Sequence, residues 1–314
     1  MSVNDPILGC SRAAADIREF VRIAASVDAP VLVTGETGTG KGVVAAAIHR
    51  GSARAARPLV EVNCAGVPET LFESEFFGHA RGAFTGAMNA RRGLFEQAHE
   101  GTLFLDEIGE LTLPLQAKLL TTIERGVVRR LGAETTAQVN ARTIAATSVR
   151  LEEAVAEGTF RLDLYHRLLV LSYHLPALRE RGADIMLLAR HFLCTFAARH
   201  ARRIGDFSAD AVRLIEGGAW PGNIRQLAHA VEAAVLRCDG GTIHAHHIPA
   251  ALRPAAGTAI QPNRYSFFGS RAAERDRIIE ALRSCHGNRT RAARMLRMSR
   301  NTLASRLRDF DIVA

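Results

Sequence analysis

Several stretches of this chain carry residue types that could do chemistry together. The first is Gly35-Glu36-Thr37-Gly38-Thr39-Gly40-Lys41, followed by Gly42. Glycines let a backbone turn tightly and aim several N–H groups at one point, and a helix starting there adds its positive end. Such a point suits a polyphosphate, with Lys41 reaching the outer phosphates. Only two of the 40 basic residues are lysines, Lys41 and Lys118. In so arginine-biased a chain, a lysine here suits a compact ammonium better than a planar fork. The bland alternative is an ordinary glycine-rich turn; strand, spacing and lysine together favour a phosphate site. Phosphate loops of this spacing usually carry Ser or Thr after the lysine, for Mg²⁺. Gly42 offers no such oxygen, so the metal must be held by other groups and by water.

The second stretch is Gly101-Thr102-Leu103-Phe104-Leu105-Asp106-Glu107. Two carboxylates at the end of an apolar strand, beside a phosphate loop, form a natural site for Mg²⁺ and for activating water. Asp106 would stand in the metal's shell and Glu107 would orient the attacking water. Asn63 ends another short strand, Leu59 to Asn63, and is a candidate to hold a catalytic side chain or simply a turn residue. Arg161 and Arg167, six apart, have the character of arginines that stabilise a γ-phosphate across a subunit boundary. As surface arginines on a helix they need no such role. Arg225 is expected on the first turn of a helix, where it either reaches a nucleotide or stays on the surface.

Gly82-Ala83-Phe84-Thr85-Gly86-Ala87 fits no helical or strand period. Two glycines and two alanines leave Phe84 little local cover. The segment reads equally as a buried turn with Phe84 in the core or as a mobile loop presenting Phe84 and Thr85 to a partner.

The elements that must position these residues follow an alternating pattern. Val31 to Val33 reads as a buried strand and Val43 to Ile48 as a helix. Leu111 to Glu124 reads as a helix, Val139 to Thr147 as a strand followed by Ser148, and Glu152 to Phe160 as a helix. Ile17, Phe20, Val21 and Ile23 give the N-terminal segment an amphipathic helix, which either covers a nucleotide base or simply packs. From Pro176 to Leu252 the composition becomes helical, broken at Trp220-Pro221-Gly222-Asn223. Arg253 to Ser270 has no periodic pattern and reads as a linker. The expectation is an α/β parallel sheet with helices on both faces over 1–174, a helical lid over 175–252, the linker 253–270, and an all-α unit over 271–314.

That last unit is basic. It holds 11 arginines against five acids, so it supplies +6 of the chain's +8. Thr290 to Leu296, a tight turn at Arg297-Met298, and Ser299 capping Arg300 to Phe310 make a helix-turn-helix whose second helix suits the major groove. Arg300, Asn301, Thr302, Ser305 and Arg306 are its candidate DNA-binding residues, with a protein-binding basic hairpin as the alternative. Five scattered cysteines with no C-x-x-C pair fit reduced thiols. No apolar stretch approaches a membrane span and no secretory pattern opens the chain, so the expected location is the cytoplasm, with no membrane partner.

Taken together, these residues resemble bacterial enhancer-binding activators of sigma-54 RNA polymerase, with an AAA+ motor and a Fis-type helix-turn-helix. The most specific marker is Gly82 to Ala87, GAFTGA, preceded by ESEFFGHAR. GETGTGK, GTLFLDE, FRLDLYHRL, LPALRER and WPGNIRQL support it. The resemblance implies ATP on Gly35 to Gly42, Mg²⁺ on Asp106, and Glu107 as the water-orienting acid with Asn63 as its switch partner. It makes Arg161 and Arg167 the fingers acting on a neighbour, Thr147 and Ser148 the first sensor, and Arg225 the second. Phe84 and Thr85 would touch sigma-54, and Leu113 to Gln116 resembles a supporting loop.

Three positions depart from the family pattern: Gly42 replaces a Glu, Ser148 an Asn, and Arg297 the turn glycine. The resemblance further implies a homo-oligomeric ring, a hexamer, that hydrolyses ATP while bound to upstream enhancer DNA and remodels the sigma-54 RNA polymerase holoenzyme complex. Gly35 stands too near Met1 to leave room for an N-terminal sensing domain, so control is expected from a separate regulatory protein, a partner subunit or expression level. The rival of another class is a DNA-binding regulator whose nucleotide site only controls assembly, to which Gly42 and Ser148 lend weight.

Overall fold

The computed structural model describes residues 7–66, 69–84 and 87–250, together with Arg289. The chain divides into two units, Met1–Thr258 and Ala259–Ala314, and all described residues but Arg289 fall in the first. Thr85, Gly86, the linker after 252, Arg297 and the DNA-binding candidates Arg300, Asn301, Thr302, Ser305 and Arg306 lie outside the described residues.

The first unit is built on a five-stranded sheet: β1 (Val31–Thr34), β2 (Leu59–Asn63), β3 (Thr102–Asp106), β4 (Arg142–Thr147) and β5 (Leu171–His174). Their order is β2-β3-β4-β1-β5, and every neighbouring pair is parallel. A parallel sheet covered on both faces needs apolar residues on both, and β1, β3 and β4 have them. Strand alternation divides the load. Leu103 and Leu105 face a core with Ile108, Leu119 and Leu164, whereas Phe104 joins Val31, Val33, Ile48 and Ile144 on the other side.

Ten helices flank this frame among the described residues. In chain order they are α1 (Arg12–Ser26), α2 (Lys41–Gly51), α3 (Glu69–Phe77), α4 (Leu94–Gln97), α5 (Leu113–Arg125), α6 (Leu151–Ala156), α7 (Leu162–Leu168), α8 (Asp184–Arg199), α9 (Ala209–Glu216) and α10 (Asn223–Arg237). The last three form the lid around their own core, with the fully buried Trp220 beside Leu227, Ile215 and Phe207. The Trp220 indole N–H donates to Ile215 O at 2.8 Å, so its one polar atom is satisfied inside that core. No helix of the described residues is long and apolar enough to cross a membrane.

Several local expectations shift. The helix expected to run to Phe160 stops at Ala156, because Gly158 turns left-handed at φ 70° and the Thr159 and Phe160 amides return to Ala154 O. The strand expected from Val139 begins at Arg142. The helical stretch after Pro176 also contains a short parallel pair, Ile204–Phe207 with Gly241–Ile243. Strand β5 carries only half-buried alternation at the sheet's edge, too weak a pattern to stand out in the sequence.

Candidate nucleotide site

The carboxyl ends of the parallel strands carry the chemistry-bearing residues to one edge of the sheet. Chain leaving β1 at Thr34 enters the glycine loop and then α2. Gly40 caps that helix at φ 100° with no side-chain hydrogen bond to its first turn, which keeps those amides available to an anion. Gly38 stands at φ 82°, and a Cβ there would lie 2.3 Å from Gly222 O. Only a glycine lets the loop and the lid approach this closely.

Lys41 is buried, with Nζ donating to Gly35 O at 2.9 Å and to Glu36 O at 3.4 Å. Thr39 is buried too and its hydroxyl donates to Glu36 O. The cleft they border has a volume of about 320 Å³ and is lined by Thr37, Gly38, Gly40, Lys41, Gly42, Val43, Asp106, Glu107, Ile224, Arg225 and Ala228. Uncapped amides, a buried ammonium and glycines that admit no side chain fit a polyphosphate. A Cβ on Gly42 would meet only Phe104, at an ordinary 3.7 Å, so space does not dictate the glycine there.

Asp106 ends β3, in register with Asn63 of β2. Burial, and secondarily the neighbouring Glu107 carboxylate, hold the Asp106 carboxyl above its ordinary range. Its Oδ1 accepts from the Glu107 amide at 3.1 Å, and its place on the cleft wall beside the phosphate loop fits Mg²⁺ as the group it would hold. Glu107 turns left-handed at φ 54°. Its carboxylate sits 3.4 Å from Lys41 Nζ and accepts from the Ser148 amide and hydroxyl, each at 2.8 Å. Asn63 does not reach it: its Oδ1 accepts from the Ala65 amide, as a turn residue would. Thr147 is fully buried, with its hydroxyl oxygen accepting from the Val149 amide and its carbonyl from the Gly35 amide.

The lid closes the other side. Arg225 lies on the first turn of α10, and the Ile224 and Arg225 amides both donate to Gly38 O. Asn223 escaped the sequence analysis, where it read as part of a helix breaker. It is fully buried at φ 50°; Nδ2 donates to Glu36 Oε2 and Thr37 O, and Oδ1 accepts from the Leu178 amide. Arg179 adds a two-pronged contact to Glu36, at 2.9 and 2.6 Å. These bonds hold the Glu36 carboxyl below its ordinary range, the Arg179 contact being the largest cause. Arg181 is buried against Thr39 O, and burial lowers its guanidinium from its ordinary value. Only the cluster LPALRER hinted at these arginines.

Arg161 and Arg167 line no part of this cleft. Arg161 caps α7, with a two-pronged contact to Asp163, and its amide donates to Gln116 Oε1 at 2.8 Å. Gln116, fully buried, also donates to Leu111 O and Thr159 O. Arg167 is exposed and donates weakly to Ile123 O.

The Gly82 amide donates to Ala87 O at 2.8 Å and the Ala87 amide to Phe84 O at 3.0 Å. Phe84 is 44% exposed and rests its ring edgewise on His79, 5.1 Å away. The open choice between core and surface is thereby decided for Phe84: it faces solvent. Ala83 is pressed against Gly132, where a Cβ would lie 2.8 Å from the Ala83 Cβ.

A parallel β2-β3-β4-β1-β5 sheet, a phosphate loop, strand-end acids and a helical lid define an AAA+ nucleotide-binding protein. Residues 7–174 match the sigma-54 interaction domain, 179–264 the AAA+ ATPase lid domain, and 270–310 the Fis family of bacterial regulatory proteins. The chain belongs to the sigma-54-dependent family of transcription activators.

It is 46% identical over 313 residues to the regulatory protein AtoC of Escherichia coli, covering 98% of this chain and 68% of AtoC. It is 40% identical to the nitrogen fixation protein VnfA of Azotobacter vinelandii, covering 98% of this chain and 59% of that one. The chain thus spans about three-fifths to two-thirds of the length of these relatives. NtrX of Brucella abortus, solved in complex with ATP, superposes with a TM-score of 0.72 at 31% identity, over 98% of this chain and 70% of NtrX.

Proposed function

We propose that this chain is a mechanochemical ATPase that drives open-complex formation by sigma-54 RNA polymerase while tethered to upstream DNA. Lys41, the amides of Gly38 to Gly42 and Arg225 bind the triphosphate. Asp106 holds Mg²⁺, which neutralises charge on the phosphates when bound. Glu107 orients the attacking water. Arg161 and Arg167 act on the site of a neighbouring copy in a ring, hexameric by resemblance. That they stand outside their own chain's cleft supports this part of the reading.

Phe84 and Thr85 press on sigma-54 as the nucleotide turns over. The segment 1–174 serves as motor and 175–252 as lid. Beyond the linker 253–270, the unit 271–314 holds the enhancer through Arg300, Asn301, Thr302, Ser305 and Arg306. The observation that carries the reading is the exposed Phe84 within a glycine-alanine segment, in a chain of this family whose glycine loop and Lys41 border a cleft with Asp106 and Glu107.

Reconstituted transcription with sigma-54 holoenzyme tests it. Open complexes should require both this protein and ATP, and a housekeeping holoenzyme should not respond. Thr85→Ala should hydrolyse ATP yet fail to open promoters; normal transcription by that variant would count against the reading. Phosphate release that is absent at every protein concentration would favour the rival regulator, in which nucleotide only controls assembly.

A further inference from the structure

A cavity of about 580 Å³ lies apart from the nucleotide cleft, between α3, α5 and the antiparallel hairpin of Val127–Arg129 with Thr136–Gln138. Four basic side chains and one carboxylate line it: Lys118, Arg125, Arg129 and Arg130, with Glu73. Two of these cations already have partners, Lys118 pairing with Glu73 at 2.5 Å and Arg130 with Glu96 at 2.6 Å. The exposed Arg125 and Arg129 guanidinium groups have no hydrogen bond or ion pair among the described residues. Phe77, Val127 and Leu131 supply apolar wall, and Thr136 a hydroxyl.

We propose that this cavity binds a small organic di- or tricarboxylate, held by Arg125 and Arg129 with the Lys118 ammonium beside them. Ligand sites typically enclose about 300–1,000 Å³, mostly apolar, with a few convergent polar groups. A guanidinium fork matches a carboxylate through two parallel hydrogen bonds, and the carbon skeleton would lie on the apolar wall. Helices α3 and α5 meet the cavity with their C-terminal halves, at Glu73 and Phe77 and from Lys118 to Arg125. The helix N-terminal amides that cradle phosphate groups are therefore not at hand, and side chains must hold the anion. Arg125, on the last turn of α5, also complements that helix's dipole. Arg129 stands on a strand, where no such dipole calls for a cation.

The same wall supports the base of the Gly82–Ala87 segment. The Leu131 amide donates to Gly78 O and its carbonyl accepts from the Ala80 amide, both at 2.9 Å. Gly132 is the residue against which Ala83 is pressed. A carboxylate seated between α5 and the hairpin would steady this wall and the chain that leads to Phe84. The inference goes beyond the ATPase reading and does not rest on it, since binding is measured without nucleotide.

Calorimetric titration of the full chain uses citrate and succinate as probes, with inorganic phosphate as a separate arm. At least one carboxylate should bind with a Kd below about 1 mM. Arg125→Ala and Arg129→Ala should each weaken it at least roughly tenfold, the worth of one hydrogen bond to a charged group. The bound probe should also slow hydrogen exchange at the Leu131 amide and the reaction of Lys118 with an amine-directed reagent. Both effects should vanish when the two arginines are replaced together. Weaker binding of both carboxylates, or binding that either arginine variant retains in full, overturns the proposal. In the latter case the anion sits elsewhere, in the phosphate cradle or on the basic 271–314 unit. Inorganic phosphate bound more tightly than either carboxylate overturns the assignment of ligand class.

Discussion

The side-chain amide of Asn223 donates to the Glu36 carboxylate at 3.0 Å, joining the first residue of the lid's last helix to the phosphate loop. The same amide group reaches Thr37 O at 3.1 Å, and the Asn223 carbonyl takes the Leu178 amide at 2.8 Å. One fully buried side chain thus ties together the loop, the start of α10 and the segment that leads into the lid.

Asn223→Ala would strand the buried Leu178 amide and take a donor from the partly exposed Glu36 carboxylate. Leaving such groups unpaired costs about 1–3 kcal/mol. Urea denaturation should show that loss, and calorimetric titration should show weaker ATP binding. A variant with unchanged stability and affinity would mean that the tie is not used.

The Glu36 contact also predicts an acid response. Arg179 and Asn223 depress the Glu36 pKa in the folded chain, so its contribution is complete above the ordinary carboxylate value and is lost as pH falls through the depressed one. Melting temperature should therefore drop more steeply in acid for wild type than for Glu36→Gln. Parallel curves for the two proteins would contradict the assignment.

Gly38→Ala places a methyl group 2.3 Å from Gly222 O, on a backbone with φ 82°. Both the collision and the left-handed conformation oppose it, the latter alone by about 1–2 kcal/mol. ATP affinity should fall at least roughly tenfold, the equivalent of about 1.4 kcal/mol. Equilibrium binding of a fluorescent ATP analogue is the check.

Gln116 joins the Arg161 amide to Leu111 O and Thr159 O. Gln116→Ala should free the turn that carries Arg161 while leaving the cleft intact. Under the proposed trans role of Arg161, phosphate release should fall in assembled protein while the ATP dissociation constant stays within about twofold, a change of less than 0.5 kcal/mol. Equal losses in both would point to a general folding defect.

Much of the frame was legible because it rests on strong local signals. Apolar runs ending in Asp106 or in the glycine loop announce buried parallel strands with a ligand edge. Gln116, Arg179 and Asn223 stood out less, because their importance comes from partners far away in sequence and, for Gln116 and Asn223, from burial. Asn223 looked like a helix breaker, and the turn after Ala156 depended on the conformation of one residue, Gly158. The contact of Glu107 with Ser148 was hidden for a similar reason: Asn63 and Ser148 both follow strands, and only the turn at Glu107 brings one of them to the acid here. Phe84 was undecidable from composition, since a small-residue setting suits a tight core turn as well as an exposed tip.

The scarcity of lysine has a practical corollary. Of the two, Lys41 is 6% exposed and held by backbone carbonyls, whereas Lys118 is 49% exposed on α5, paired with Glu73. An amine-reactive dye should therefore mark a single side chain of this protein, on the helix that also carries Gln116. That makes Lys118 a ready-made spectroscopic handle, obtained without engineering any residue of the cleft.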